Sequence, residues 1–174
     1  MNPVTLVEPG TVRLERLLPG PIERVWRYLV ESDKRAQWLA AGEFDLRVGG
    51  RIHLQFDNAK LCRDGNVPAD KTRGAGGFDG VITRLEAPRL LAHTWSWAAK
   101  GLDAETEVTY ELTPKGKEVL LVITHRRMPK DFLTGVMGGW EVHSGILEDL
   151  LAGREPRSFW TEHAKAEKKY AAAH

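Results

Sequence analysis

The segment that most limits how this chain can fold is 136–151. Val136, Trp140, His143, Ile146, Leu147, Leu150 and Leu151 recur there in steps of three and four, which puts them on one side of a helix. Glu141, Ser144, Gly145, Glu148 and Asp149 occupy much of the other side. An apolar stripe this wide has to lie against an apolar surface. Upstream, residues 42–127 read as successive strands, so the surface on offer is a sheet. A long helix closing over antiparallel strands encloses an apolar space, filled by side chains or by a ligand.

Alternation and turn chemistry give the order of the other elements. Residues 11–18 alternate as a first strand, which Pro19-Gly20-Pro21 stops. Ile22, Val25, Trp26, Leu29 and Val30 follow at helical spacing, with Pro21 at the start, where a missing N–H costs nothing. Ser32 reads as the cap of a second short helix over 33–40, which carries Trp38 and Leu39 inward and ends at Gly42. A short strand is predicted over 44–46, then a turn at Val48-Gly49-Gly50. Further strands are predicted over 51–56, 78–86, 90–97, 104–113 and 118–126. Their shared faces include Leu91, His93, Trp95 and Trp97, then Thr106, Val108, Tyr110 and Leu112, then Val119, Leu121, Ile123 and His125. Residues 57–76 are charged and glycine-containing, and read as a long surface loop. Gly153 stops the long helix, and Phe159, Trp160, His163 and Ala164 mark a further amphipathic helix ending at Tyr170. The order, one strand, two helices, about six further antiparallel strands and a long helix, keeps strands apart from helices and predicts an α+β fold. The expected organisation is one domain over 1–153, with 154–174 as a helical extension of it.

Charge removes several classes of partner. Twenty-five basic and 24 acidic side chains leave a net charge of +1, with no concentrated basic face for nucleic acid or an anionic membrane. Lys165, Lys168 and Lys169 are diluted by Glu162 and Glu167, and read as a solvated helical face. Cys62 is the sole cysteine, which excludes an internal disulfide and fits a reducing compartment. The first ten residues contain Glu8 and lack both a basic start and an apolar stretch, so no secretory signal is expected. The longest strongly apolar run, 119–123, is far short of the roughly 18 residues of a membrane span. The expected location is the cytoplasm.

Short segments carry a family likeness. They are Pro21-Ile22-Glu23-Arg24-Val25-Trp26, Gln37-Trp38-Leu39, Val48-Gly49-Gly50, Gly80-Val81-Ile82 through Pro88, residues 91–97, Thr124-His125, and Gly139-Trp140-Glu141-Val142-His143. In this order and spacing, over roughly 11–153, the chain resembles the heat-shock-protein ATPase activator-homologue branch of the START and birch-allergen (Bet v) superfamily. The resemblance implies a helix-grip fold: a curved antiparallel sheet wrapped around a long C-terminal helix, with two short helices after the first strand and a hydrophobic tunnel inside. Members of the superfamily bind lipids, polyketides or other apolar molecules, and some act as co-chaperones or enzymes. The 57–76 insertion and the tail after Gly153 depart from the family's pattern.

Reactive chemistry is hard to find. The six histidines (53, 93, 125, 143, 163, 174) contain no pair at metal-ligand spacing, and neither a metal nor another cofactor is expected. His143-Ser144-Gly145 lies within a helix and lacks a nucleophile elbow. Cys62 has no identifiable base beside it. Gly74-Ala75-Gly76-Gly77 precedes a strand and no lysine follows, so it is not a phosphate cradle. No catalytic residue is assigned.

What remains is an apolar interior with a few polar groups, the usual make-up of a small-molecule pocket. Its candidate lining is Trp38, Phe44, Phe56, Trp95, Trp97, Val108, Tyr110, Leu121, Ile123, Trp140 and Leu147. His125 and His143, with His93 and Tyr110 behind them, are the candidate orienting groups, although a lone inward histidine is more often a satisfied core residue. The expectation is a non-enzymatic module holding a small hydrophobic ligand, lipid, aromatic or polyketide-like, with the 57–76 loop over one entrance. Two alternatives stand beside it. One is a co-chaperone-like interaction protein of the stress response, with a chaperone as partner. The other is a cyclase- or hydrolase-type enzyme using His125 or His143 as acid or base. The aromatic tail (Phe159, Trp160) leaves open packing back onto the domain or joining two copies as a homodimer.

Overall fold

Alternation becomes pairing across one antiparallel sheet. The computed structural model describes residues 2–172, so His174 lies outside the described residues. The strands are β1 (Thr5–Glu8), β2 (Thr11–Pro19), β3 (Arg51–Asp57), β4 (Ala75–Glu86), β5 (Leu90–Ser96), β6 (Glu105–Lys115) and β7 (Glu118–Arg126). The helices are α1 (Ile22–Val30), α2 (Ser32–Arg35), α3 (Leu133–Leu151) and α4 (Phe159–Ala171). The sheet runs β1-β2-β7-β6-β5-β4-β3. Register places Trp95 opposite Thr106, His93 opposite Val108, and Val108 opposite His125, so these side chains share the inner face. A register shift between Ile82 and Arg84 interrupts the β4–β5 pairing, the kind of irregularity that bends and twists a strand locally.

Four local expectations are corrected. The sheet has seven strands, as many as expected, but β1 takes the place of the 44–46 segment among them: it pairs along the edge with all four of its residues exposed and no alternation to announce it. The predicted 44–46 strand reduces to one bridge from Phe44 to Ile52, beside another from Ala41 to Gln55. The predicted 33–40 helix ends at Arg35. The reason is Arg35 itself, 1% exposed, which folds back into the chain around it. Its Nε donates to the Ala40 carbonyl (3.1 Å) and its Nη1 to those of Leu29 and Val30 (3.1 and 3.2 Å), while Nη2 donates to Gly42. The guanidinium so takes up carbonyls at the end of α1, where a cation also favours the helix dipole. Ser32 does not cap α2; its hydroxyl accepts from the Gly42 N–H at 2.9 Å.

The polar side of α3 is not a solvent face. Ser144 accepts from the Arg16 Nε of β2 at 3.0 Å, and the opposite flank is covered by α4. Gly153, at φ +69°, stops α3 and turns the chain back. Asp149 then receives Arg157 through Nε (2.7 Å), Nη2 (2.9 Å) and the backbone N–H (3.0 Å), and Arg154 through Nη2 (3.1 Å). Gly145 makes room for this: a Cβ there would lie 2.6 Å from the Arg157 Nη1. At the far end of α4 the Tyr170 hydroxyl accepts from the Val4 N–H at 2.8 Å, and Lys169 pairs with Glu141 at 2.7 Å. The aromatic tail packs back on the domain, with Phe159 and Trp160 only 1% and 6% exposed. Among the described residues no helix is long and apolar enough to cross a membrane.

Candidate functional site

Between the β3–β5 end of the sheet, the N-terminal half of α3 and the start of α4 lies a cavity of about 580 Å³. Strand alternation delivers Phe56, Phe78 and Trp95 to its floor, with Trp97 just past the end of β5. Helix α3 supplies Trp140 and His143, one turn apart, and α4 supplies Phe159, Trp160 and His163. The rings meet mainly edge-on or tilted: Phe56–Phe78 centroids are 5.6 Å apart, Phe78–Trp95 5.4 Å and Trp95–Trp140 6.2 Å. Such geometries suit the ring quadrupoles and hold each ring in place. The space persists because rigid rings brace one another around it.

His125, itself on the wall, anchors a closed polar chain. The Trp140 Nε1–H donates to His125 Nδ1 at 3.1 Å, so that nitrogen carries the lone pair and the proton lies on Nε2. Nε2–H donates to Thr106 Oγ1 at 2.8 Å, and the threonine donates onward to the Trp95 carbonyl at 3.1 Å. The Trp97 Nε1–H also ends on Thr106 Oγ1, at 3.2 Å. Every donor has its acceptor and both imidazole nitrogens are engaged. Burial, reinforced by neighbouring His93, lowers the His125 pKa to about 3.

The other inward histidines are also neutral at pH 7. His143 Nδ1–H donates to the Trp38 carbonyl at 2.6 Å, and burial lowers its pKa to about 4. His93 Nδ1–H donates to the Thr94 carbonyl at 2.9 Å, and burial lowers it to about 4. Burial lowers His163 as well, against the pull of Glu167. Among the described residues no cluster of three histidine, cysteine, aspartate or glutamate side chains could hold a metal ion.

The mouth is polar and strapped. Lys100 Nζ donates to the Ala75 carbonyl at 3.0 Å and lies 5.7 Å from the Phe78 ring centroid. Arg73 grips both carboxylate oxygens of Glu167 (2.9 and 2.8 Å), with its guanidinium 4.7 Å from the Trp160 centroid. The loop between β3 and β4 is tied to α4 at a second point. Asp64 accepts from the Ser158 hydroxyl at 2.6 Å and from the Thr161 hydroxyl, and these bonds hold its carboxyl at about 2. The loop therefore does border the cavity, through Arg73 and Gly74. Arg73→Ala is expected to change stability by less than about 1 kcal/mol, since the pair is exposed to solvent. It should instead speed hydrogen exchange of the loop amides at 62–74. Unchanged exchange would mean that Arg73 does not hold the mouth.

A model of the family described as activator of Hsp90 ATPase homolog 1-like protein matches residues 19–152. This chain belongs to that family. A Bordetella parapertussis protein solved by solution NMR is 39% identical, with a TM-score of 0.79, over 96% of this chain and 87% of that one. CalU16 from Micromonospora echinospora shares the fold at 22% identity and a TM-score of 0.67, over 93% of this chain and 86% of its own. DynU16, a protein in the dynemicin biosynthetic locus, shares it at 21% identity and a TM-score of 0.64, over 86% of this chain and 50% of its own. No curated protein matches. The α+β helix-grip architecture expected from the resemblance is the one observed.

In this Hsp90 ATPase activator homolog 1-like chain, six of the thirteen site candidates reach the cavity wall: Phe56, Trp95, Trp97, His125, Trp140 and His143. The other seven lie outside it. Trp38, Val108, Leu121, Ile123 and Leu147 are buried in the packed core. Tyr110 stands behind Trp140, ring centroids 6.1 Å apart, and Phe44 packs half-buried against His93 and Arg35. Sequence reasoning missed Phe78, Phe132, Phe159, Trp160 and His163 as lining. Phe78 was readable, since it shares strand parity with the buried Ile82. The α4 residues announced a buried face but not what it would cover.

Proposed function

We propose that this chain binds a small hydrophobic molecule, aromatic or polyketide-like, in the cavity bounded by the sheet, α3 and α4. The observation that carries this is the braced aromatic wall around about 580 Å³ of space. That volume falls inside the roughly 300–1,000 Å³ range of ligand pockets. A fold relative, DynU16, is encoded in a biosynthetic locus, which agrees with a small-molecule role. Turnover is not part of the reading: His125 has both nitrogens engaged, and no carboxylate among the described residues hydrogen-bonds His125 or His143.

Burying about 200 Å² of ligand surface at roughly 25 cal/mol per Å² gives about 5 kcal/mol. One or two hydrogen bonds add about 1 kcal/mol each, while association costs several. Micromolar to millimolar affinity follows. The test is thermal unfolding with a panel of planar aromatics and fatty acids. At tenfold excess over Kd a ligand should stabilise by about 1.4 kcal/mol, raising Tm by roughly 3–6 °C for a chain of this size. A panel that leaves Tm unmoved, together with native mass spectra free of any bound compound, would overturn the proposal.

A further inference from the structure

We propose that the molecule held in the cavity is a planar aromatic bearing a hydroxyl, whose O–H donates to Nε2 of His143. This rests on the reading of the cavity as a hydrophobic binding site and specifies the class of molecule that fills it. Most polar groups on the wall are already committed. The indole N–H groups of Trp97 and Trp140 end on Thr106 and His125, and His125 has both nitrogens engaged. Those three residues present a ligand with ring surface only. The Nε1–H groups of Trp95 and Trp160 and the Asn58 Oδ1 have no hydrogen-bond partner, but neighbouring atoms cover them, and the equally covered His163 Nδ1 faces Glu167 at 3.7 Å. A ligand could not touch them without side chains moving.

His143 differs from all of these. It is 5% exposed, and its Nδ1 proton is committed to the Trp38 carbonyl at 2.6 Å. A neutral imidazole with its proton on Nδ1 carries a lone pair on Nε2. With burial holding the ring well below neutral pKa, that lone pair is present at pH 7. Nε2 has no hydrogen-bond partner among the described residues, and it is absent from the covered atoms, so it is open to the cavity its ring lines. The ring is 4.6 Å from that of Phe159 and 5.9 Å from that of Phe56, both also on the wall.

The class of ligand follows from these facts. A neutral acceptor repels a carboxylate and gives a bare hydrocarbon nothing. It rewards a neutral donor, because a hydroxyl buried without an acceptor costs more than it gains. The ammonium of an amine would need a carboxylate, and those bordering the cavity, Asp131 and Glu167, are at the mouth, with Glu167 already held by Arg73. The flat, braced rings around the space favour a flat ring between them.

The test uses 2-naphthol, 2-methoxynaphthalene, which keeps the oxygen but cannot donate, and 2-methylnaphthalene. Amide shifts of the ¹⁵N-labelled full chain give the three affinities, and the His143 Nε2 resonance reports its own hydrogen bond. Wild type should prefer naphthol over the methoxy analogue by about fivefold, the worth of one hydrogen bond, and only naphthol should move the Nε2 resonance. His143→Phe, which keeps the ring and removes the acceptor, should abolish the preference. If that variant does not fold, the wild-type Nε2 response decides alone. Equal affinities, or an Nε2 resonance indifferent to naphthol while the analogues bind, would overturn this inference and leave the binding site standing. Failure of all three to saturate would overturn both.

Discussion

Lowering the pH from 7 to 4.5 is expected to cost this protein about 2 kcal/mol for each of three buried histidines, His93, His125 and His143. Burial sets their folded pKa values at about 4, 3 and 4, against an ordinary 6.5. Between those limits the unfolded chain binds protons that the folded chain refuses. Stability is therefore full above about pH 6.5 and is lost as pH falls toward 4. The three together amount to about 6 kcal/mol, comparable with the roughly 5–15 kcal/mol that holds a whole domain folded.

Structure explains why no protonation is tolerated. A proton on His125 Nδ1 would face the Trp140 N–H, donor against donor, and unravel the chain through Thr106. A proton on His143 Nε2 would create a buried charge with no carboxylate bonded to it and with His163 nearby. His93 packs beside the buried Arg35 charge, which disfavours a second one. His53, whose pKa is raised by the hydrogen bonds it donates to Asp79 and Gln55, works in the opposite sense, but it is exposed and counts for little. Far-UV circular dichroism and Tm measured every half pH unit should show cooperative acid unfolding between pH 5 and 4. A Tm that is flat from pH 6.5 to 4.5 would contradict the buried, neutral assignment.

Asp149→Ala should be strongly destabilising. The carboxylate is 7% exposed; burial alone would raise its pKa, yet hydrogen bonds from Arg157 and then Arg154 hold it at about 2. Removing it leaves Arg157 half-buried and unpaired, a loss of about 3 kcal/mol. For a chain of this size that is roughly 6–12 °C in Tm. The damage should also be local. Freed from Asp149, the turn before α4 no longer aims Phe159 and Trp160 into the cavity, so tryptophan emission should shift to the red and α4 amides should exchange faster. An unaltered Tm with Trp160 still shielded would show that α4 is held by its apolar contacts alone. Because the depressed carboxyl keeps its charge down to about pH 2, this pin stays intact throughout the acid unfolding driven by the histidines.

The chain's periodicities determined the α+β class, the limits of β7, and the stripe of α3 and its stop at Gly153. Each follows from bonds between near neighbours, where the pleat and the helical turn decide which side chain faces which way. What they could not carry was any agreement between distant residues. Only the tertiary structure decided that Ser144, Gly145 and Asp149, on the side of α3 away from its apolar stripe, form the seats for Arg16 and Arg157. It alone divided the aromatic residues into those that fill the core and those that border the open space, because that division depends on where α4 and the 62–74 loop close. It also assigned the histidines their parts: the sequence shows an inward imidazole, but its proton is placed by an indole, a threonine or a backbone carbonyl from elsewhere in the chain.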